Sequence, residues 1–329
     1  MLMSETYKYV GGLIVVDFAI TSPCLLFCIS LCSKTDPLEF AVKLTANGTE
    51  HDMTNTAFAL IFGFVIAFGL PLNAVALWIL LRHHYLKSPS AVFMVNLVIS
   101  DLLLIISLPM RVYFYATDSW SFGVMTCICV TMLFRNNIRS SSVFITFISV
   151  DRLLAVVYPL RSRHLRSPSN AVKGAVFVWM IVVLVNIPES VEFSRYLDQT
   201  QNSTCFDFET PRNGSRAFEP GLAIDYFQLV LLFTMLAVNI VSTILVSWTL
   251  QRHLHESARV SNKVNVMLIF AMNLMMFIVF FLPVSLVVFF EDHRPVLSCL
   301  ASVNCCLDPL LYYFSFDGFW KRKEDVNSS

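Results

Sequence analysis

Charge is what this chain has least of. Only 14% of its 329 residues are Asp, Glu, Lys or Arg, where an average soluble domain has about 25%. Too few charges remain to cover a surface facing water, while 56% of the residues are hydrophobic and 29 are Phe. The 23 basic and 23 acidic residues cancel, so the positive excess that drives nucleic-acid binding is missing. No fixed-period repeat, long linker or low-complexity tract is visible, which excludes a repeat array and a second soluble domain. The internal symmetry of many transporters is also missing. There is no metal-ligand spacing and no Gly-x-Ser-x-Gly elbow, so no enzyme activity is expected. The last apolar stretch contains no Lys that could hold retinal as a Schiff base.

What is present comes in apolar blocks. Seven stretches, roughly 57–81, 91–116, 124–150, 171–189, 222–250, 264–290 and 296–316, approach the ~20 residues a helix needs to cross a bilayer. They predict an all-α, seven-transmembrane helix bundle over 57–316, between a tail over 1–56 and a short tail over 317–329. Arg82 and Lys87, then Arg161, Arg163, Arg166 and Lys173, then Arg252, Arg259 and Lys263, then Lys321, Arg322 and Lys323 all fall on one side. Basic loops stay in the cytoplasm, so the N-terminus is expected to be extracellular and the protein a multi-pass plasma-membrane protein. The sequons at Asn47, Asn202 and Asn213 lie on the outer side and are candidate glycosylation sites. Residues 13–32 are apolar enough for a signal-like segment or an eighth span, although Asp17 and Pro23 interrupt them. The alternatives are an irregular extracellular tail or an upstream extension of the true start.

The nine cysteines are an odd number, so at least one is unpaired within the chain. Cys24, Cys28 and Cys32 sit in the tail, whereas Cys129, Cys305 and Cys306 lie in apolar runs, where Cys behaves as a small hydrophobe. Cys127 and Cys205 fall at outer edges and are the candidate disulfide.

Five charges within the spans stand out: Asp101, Arg111, Arg135, Arg139 and Asp308. Each costs roughly 2.5–3.5 kcal/mol at the bilayer centre, which marks it for function. Asp101 and Asp308, with Asn73, Asn137, Ser141 and Asn304, supply oxygens that suit a hard cation. They equally suit a purely structural polar network. Arg135 and Arg139, four apart on one helix face, and Arg111 near the outer end of span two have no obvious carboxylate partner. An anionic ligand would relieve their burial, and Arg offers phosphate a planar fork. Alternatively, Arg135 or Arg139 snorkels or pairs with Asp225 or Glu189. Asp151-Arg152 ends span three, where acid and base can restrain each other. Pro71, Pro109, Pro188, Pro283 and Pro309 lie deep in spans as natural hinges.

Several runs occur in a family order: Gly69-Leu70-Pro71-Leu72-Asn73, Asn96-Leu97-Val98-Ile99-Ser100-Asp101, Cys127, Asp151-Arg152-Leu153, Trp179, Phe277-x5-Pro283 and Asp308-Pro309-Leu310-Leu311-Tyr312. Over about residues 57–322 the chain resembles the rhodopsin-like G-protein-coupled receptors. Ser107-Leu108-Pro109-Met110-Arg111-Val112-Tyr113, Ser119-Trp120-Ser121-Phe122-Gly123, Thr204-Cys205-Phe206 and Asn304-Cys305-Cys306-Leu307 resemble their lysophosphatidic acid and purinergic branch.

The resemblance implies a receptor for a phosphate-bearing lysophospholipid, foremost lysophosphatidic acid. Arg111 would bind the phosphate, with Arg135, Arg139, Arg294 and Tyr113 as further candidates. Phe114, Phe134, Phe227 and Phe289 are candidate linings for the acyl chain. Cys127 would pair with Cys205, and Asp101, Asn137, Ser141, Asn304 and Asp308 would form a pocket for an allosteric sodium ion. No other cofactor is implied. Asp151, Arg152, Phe277, Phe281, Pro283, Asp308, Pro309 and Tyr312 would carry activation, with helices five and six shifting to admit a heterotrimeric G protein. A short cytoplasmic amphipathic helix would follow span seven, without a palmitoyl anchor, since no Cys follows Cys306. The alternatives are another lysophospholipid or a nucleotide as ligand, a non-signalling decoy and, in a different class, a transporter.

The chain also departs from the pattern. Span five has Met235 near the expected proline and no tyrosine in its cytoplasmic half. Leu153 replaces an aromatic, Phe281 stands in the place of a Trp, and Arg139 stands where the branch often has Tyr. Pro283 and Pro309 are 26 residues apart, where the family has well over 30. The outer ends of spans six and seven are therefore expected to be short, with Glu291-Asp292-His293-Arg294-Pro295 as the turn.

Overall fold

In a computed structural model the chain is all-α among the described residues, which are 50–82, 88–199, 205–206, 220–252, 260–286 and 295–309. Asn47, Asn202, Asn213, Arg294, Tyr312 and Phe289, the signal-like segment 13–32 and the helix expected after span seven lie outside them. Six helices are long and apolar enough to cross a membrane. They are α1 (Glu50–Arg82), α2 (Pro89–Thr117), α3 (Gly123–Val157), α4 (Pro168–Gln199), α5 (Pro220–Arg252) and α6, which begins as Val260–Met276. A seventh helix, α7, covers 295–309.

Local chemistry starts and stops these helices. Ser88-Pro89 and Ser167-Pro168 open α2 and α4, each Ser Oγ accepting a backbone N–H, from Ala91 at 3.3 Å and from Asn170 at 3.2 Å. Proline follows as the first helical residue, where its missing N–H costs nothing. Asp118 closes α2 in the left-handed region (φ 50°), its N–H bonded to Phe114 O at 2.8 Å. Gly123, which opens α3 at φ +81°, takes a conformation that a side chain would strain.

Three boundaries differ from the sequence reading. α1 begins at Glu50 rather than near 57, and α3 runs on to Val157, so Asp151 and Arg152 lie within the helix rather than at its end. α4 continues past 189 because Glu189, Phe193 and Leu197 recur every four residues and are all buried.

α6 passes through a π-helical turn, Phe277–Phe281, and one last α-turn, Leu282–Ser285. The Leu282 N–H bonds to Phe277 O, five residues back. The turn falls immediately before Pro283, whose missing N–H breaks the regular ladder. α6 therefore ends two residues beyond Pro283, as expected from the Pro283–Pro309 interval, and Pro295, expected in the turn, is helical. The expected short outer end of α7 lies outside the described residues.

α2 sits innermost: its most apolar window is 89% buried, against 28% for those of α1, α4 and α5. The outer faces of those three carry exposed Phe64, Phe68, Trp78, Phe177, Leu184, Val230 and Ile244. Such a surface suits hydrocarbon rather than water. Buried polar links tie the helices together. Asn73 Nδ2 donates to Gly69 O (2.9 Å) and Cys305 O (2.8 Å), and Trp179 Nε1 donates to Asn96 Oδ1 (2.9 Å). Asn239 on α5 reaches Thr146 Oγ1 (3.0 Å), and Asn273 on α6 reaches Ser149 Oγ (2.7 Å), both on α3. A Cβ at Gly69 would meet Ile105 Cδ1 at 3.2 Å, so glycine permits the close approach of α1 to α2.

Candidate functional site

At the end of the bundle where α3 begins, Cys127 and Cys205 form the expected disulfide, with Cα atoms 5.6 Å apart. The bridge brings Phe206 into an aromatic group with Phe114, Tyr115 and Trp120, at centroid distances of 5.1, 6.4 and 5.5 Å. Cys129 is also disulfide-bonded, which corrects its reading as a small hydrophobe; its partner lies outside the described residues. Cys299, Cys305 and Cys306 are free.

Arg111 lies under Phe206. It is 4% exposed, and its guanidinium carbon stands 4.4 Å from the Phe134 ring and 4.5 Å from the Phe206 ring. Its Nε has no hydrogen-bond partner, and among the described residues it has no carboxylate partner. Two aromatic faces offset part of the burial cost of a cation, about 2 kcal/mol each when desolvated, and leave Nε unused. Tyr113 is not brought to it. Residues two apart point to different helix faces, and Tyr113 packs on Phe122 (4.9 Å) and accepts from Ser121 Oγ at 3.4 Å.

Arg135 and Arg139 do have a carboxylate, contrary to the first of the two sequence readings. Glu189 on α4 pairs with Arg135 at 3.4 Å and more closely with Arg139 Nη2. Arg139 also donates to Asn186 Oδ1 (3.0 Å), and Gln228 on α5 donates to Glu189 Oε1 (2.8 Å). The Arg135 side chain remains 34% exposed and lies within the electrostatic reach of Arg111. Three cations thus face one carboxylate among the described residues; the Asp225 side chain lies outside them. Of the expected linings, Phe134 and Phe114 border the Arg111 site. Phe227 is 58% exposed on the outer face of α5 and does not.

Deeper, Asp101, Asn137, Ser141, Asn304 and Asp308 converge as expected, all buried. Asn137 Nδ2 donates to Asp101 Oδ1 (2.9 Å), Ser141 Oγ (3.1 Å) and Ser100 Oγ (3.2 Å), and Asn304 Nδ2 donates to Asp308 Oδ2 (2.9 Å). Asp101 Oδ2, Asp308 Oδ1, Asn304 Oδ1 and Asn73 Oδ1 are left without partners. Four orphaned oxygens, two of them carboxylate, make a donor set for a hard cation.

At the opposite end, Asp151 and Arg152 attract each other as neighbouring charges but form no salt bridge among the described residues. Arg166, from the turn after α3, donates from Nε to Asp151 Oδ1 at 2.9 Å, and Ser90 Oγ donates to Asp151 Oδ2. Arg152 Nε has no partner. The cause is the helix itself: adjacent residues point about 100° apart, so Asp151 faces α2 and the turn, away from its neighbour. Phe277 and Phe281, in the π-turn, are buried with rings 5.4 Å apart. Pro283 follows them, and Pro309 ends the described part of α7.

Sequence reasoning named Glu189 only as an alternative, and missed Phe206, Gln228, Ser90 and Arg166 as members of these clusters. Phe206 could have been found from its place beside Cys205; nothing in the sequence marks the others.

The family model described as "7 transmembrane receptor (rhodopsin family)" matches residues 72–312. The chain is 31% identical to lysophosphatidic acid receptor 6 of Gallus gallus over 288 residues, 82% of this chain and 93% of that protein. It is 34% identical to lysophosphatidic acid receptor 5 of Mus musculus over 289 residues, 81% of this chain and 76% of the other. A purinoceptor of Gallus gallus is 29% identical over 281 residues, 80% of this chain and 77% of the other.

Proposed function

Because this chain belongs to the rhodopsin family of seven-transmembrane receptors, in its lysophosphatidic acid and purinergic branch, we propose that it is a plasma-membrane receptor for a lysophospholipid bearing a terminal phosphate. Lysophosphatidic acid, which names several relatives, is the first candidate. The observation that carries this reading is Arg111: a buried cation with no acid partner among the described residues. A phosphate monoester offers two forked acceptors and a charge of about −1.5 to −2. The acyl chain would lie among the apolar side chains that border Phe134.

The basic clusters support a cytoplasmic loop side and an outer N-terminus; on that reading the disulfide end receives the ligand and the Asp151 end meets a heterotrimeric G protein. Pro283 and the π-turn give α6 a hinge, and Arg152, with no salt bridge among the described residues, is available to that partner. Asp101, Asp308, Asn304, Asn137 and Ser141 would hold a sodium ion, which neutralises the two buried carboxylates and favours the arrangement that encloses them.

The test is G-protein activation in cells given lysophosphatidic acid, a lysophospholipid of the same chain with choline capping the phosphate, or nucleotides. The free phosphate is expected to activate at the lowest concentration. Activation by nucleotides alone, with normal surface expression, overturns the lipid reading. Silence towards every ligand that still binds identifies a decoy.

A second measurement concerns the cation. Sodium, exchanged for choline at constant ionic strength, is expected to raise the melting temperature of the purified wild-type receptor and to leave Asp101→Asn unmoved. Equal sodium responses in both would place the ion elsewhere.

A further inference from the structure

Glu189 does more than neutralise a charge. It follows Pro188 on α4, points inward with Phe193 and Leu197, and is buried. Its two oxygens are used unequally. Oε1 takes Arg139 from α3 and Gln228 from α5, whereas Oε2 takes only Arg135, at 3.4 Å. Among the described residues Gln228–Glu189 is the only side-chain hydrogen bond that joins α4 to α5.

The three bonds also differ in strength. Arg139 is anchored twice, on Glu189 and on Asn186. Arg135 is held by one long bond, is partly exposed and feels the charge of Arg111. Gln228 carries no net charge, so its bond to the carboxylate depends on alignment alone, whereas both arginines are also held by charge attraction.

We propose that Glu189 is the residue through which an anionic ligand acts on α5. This rests on the reading of Arg111 as part of an anion site. An anion at Arg111 draws Arg135 towards it and vacates Glu189 Oε2. The planar guanidinium of Arg139 then takes both carboxylate oxygens as a fork, which turns the carboxylate into the guanidinium plane and swings Oε1 out of line with Gln228 Nε2. α5 is thereby released from α4. Without ligand the carboxylate stands in for the anion: it competes for Arg135 and keeps α5 docked.

Gln228→Leu removes the α5 arm alone and leaves both ion pairs intact. It is expected to raise ligand-independent G-protein activation on the order of tenfold at matched surface expression, the scale set by losing a hydrogen bond to a charged group. Glu189→Gln ends the competition for Arg135, so lysophosphatidic acid is expected to bind about tenfold more tightly, the same scale of interaction being at stake. Should that variant fail to fold for want of a counter-charge, Arg139→Gln with Glu189→Gln keeps the cluster's net charge and carries the same expectation. Basal activation of Gln228→Leu at the wild-type level overturns the relay. So does wild-type affinity in both Glu189 variants. A wild-type receptor that ignores lysophosphatidic acid overturns the ligand reading instead, because the Gln228→Leu experiment needs no ligand.

Discussion

Cells expressing Cys205→Ser are expected to carry far less receptor at the surface than cells expressing wild type, and what remains there is expected to respond only weakly to lysophosphatidic acid. Two effects combine. The bridge joins residues 78 apart, and closing a loop of that length is worth about 4.5 kcal/mol of chain entropy. Helices already inserted in the bilayer restrict the loop, so part of that figure is lost. The second effect is local. Phe206, next to the bridge, covers Arg111 at 4.5 Å and packs on Phe114 and Trp120. Once untethered, the ring leaves and water reaches the guanidinium, which weakens every charge interaction there. Surface staining and a dose–response curve read the two effects separately. Cys127→Ser should behave in the same way, and Cys299→Ser, whose thiol is free, should resemble wild type. Wild-type potency in Cys205→Ser would mean that the bridge does not organise the site.

Arg111→Met is expected to move stability and activity in opposite directions. Methionine is apolar, similar in length and well suited to contact with the Phe134 and Phe206 rings. It removes a buried cation that no acid compensates. Exchanging buried charge for apolar volume stabilises proteins by about 1–4 kcal/mol, and the lost ring contacts offset part of this. The ligand-free variant should therefore melt at a higher temperature than wild type. Its response to lysophosphatidic acid should fall about thirtyfold or more, since an unpaired buried charge on the other partner costs about 2–5 kcal/mol. Arg111→Lys should lie between, keeping the charge but not the fork. Full potency in Arg111→Met would remove Arg111 from the ligand site, whatever the melting temperature.

Much of this was legible in the sequence. Blocks of apolar residues marked the spans, and the basic residues between them indicated a direction. Positions four apart, such as Asn137 and Ser141 or Asn304 and Asp308, were already placed on common faces by the helical repeat. The interval of 26 residues from Pro283 to Pro309 announced a short outer end for α6, because chain length limits reach whatever the packing.

Only the tertiary structure decided which faces meet. The sequence left Arg135 and Arg139 open to a ligand or to an acid; the rotation of α4, continued to Gln199 by Phe193 and Leu197, turned Glu189 towards them. It likewise gave Asp151 to Arg166 and Ser90 rather than to Arg152, and placed Phe206 over Arg111. The physical reason lies in the solvent. In water a helix declares its inner face by polarity. In a bilayer the inner and outer faces are both apolar, and association rests on packing and a few polar links. The sequence of such a helix states its length and its exceptional residues, while the contacts with its neighbours settle its rotation.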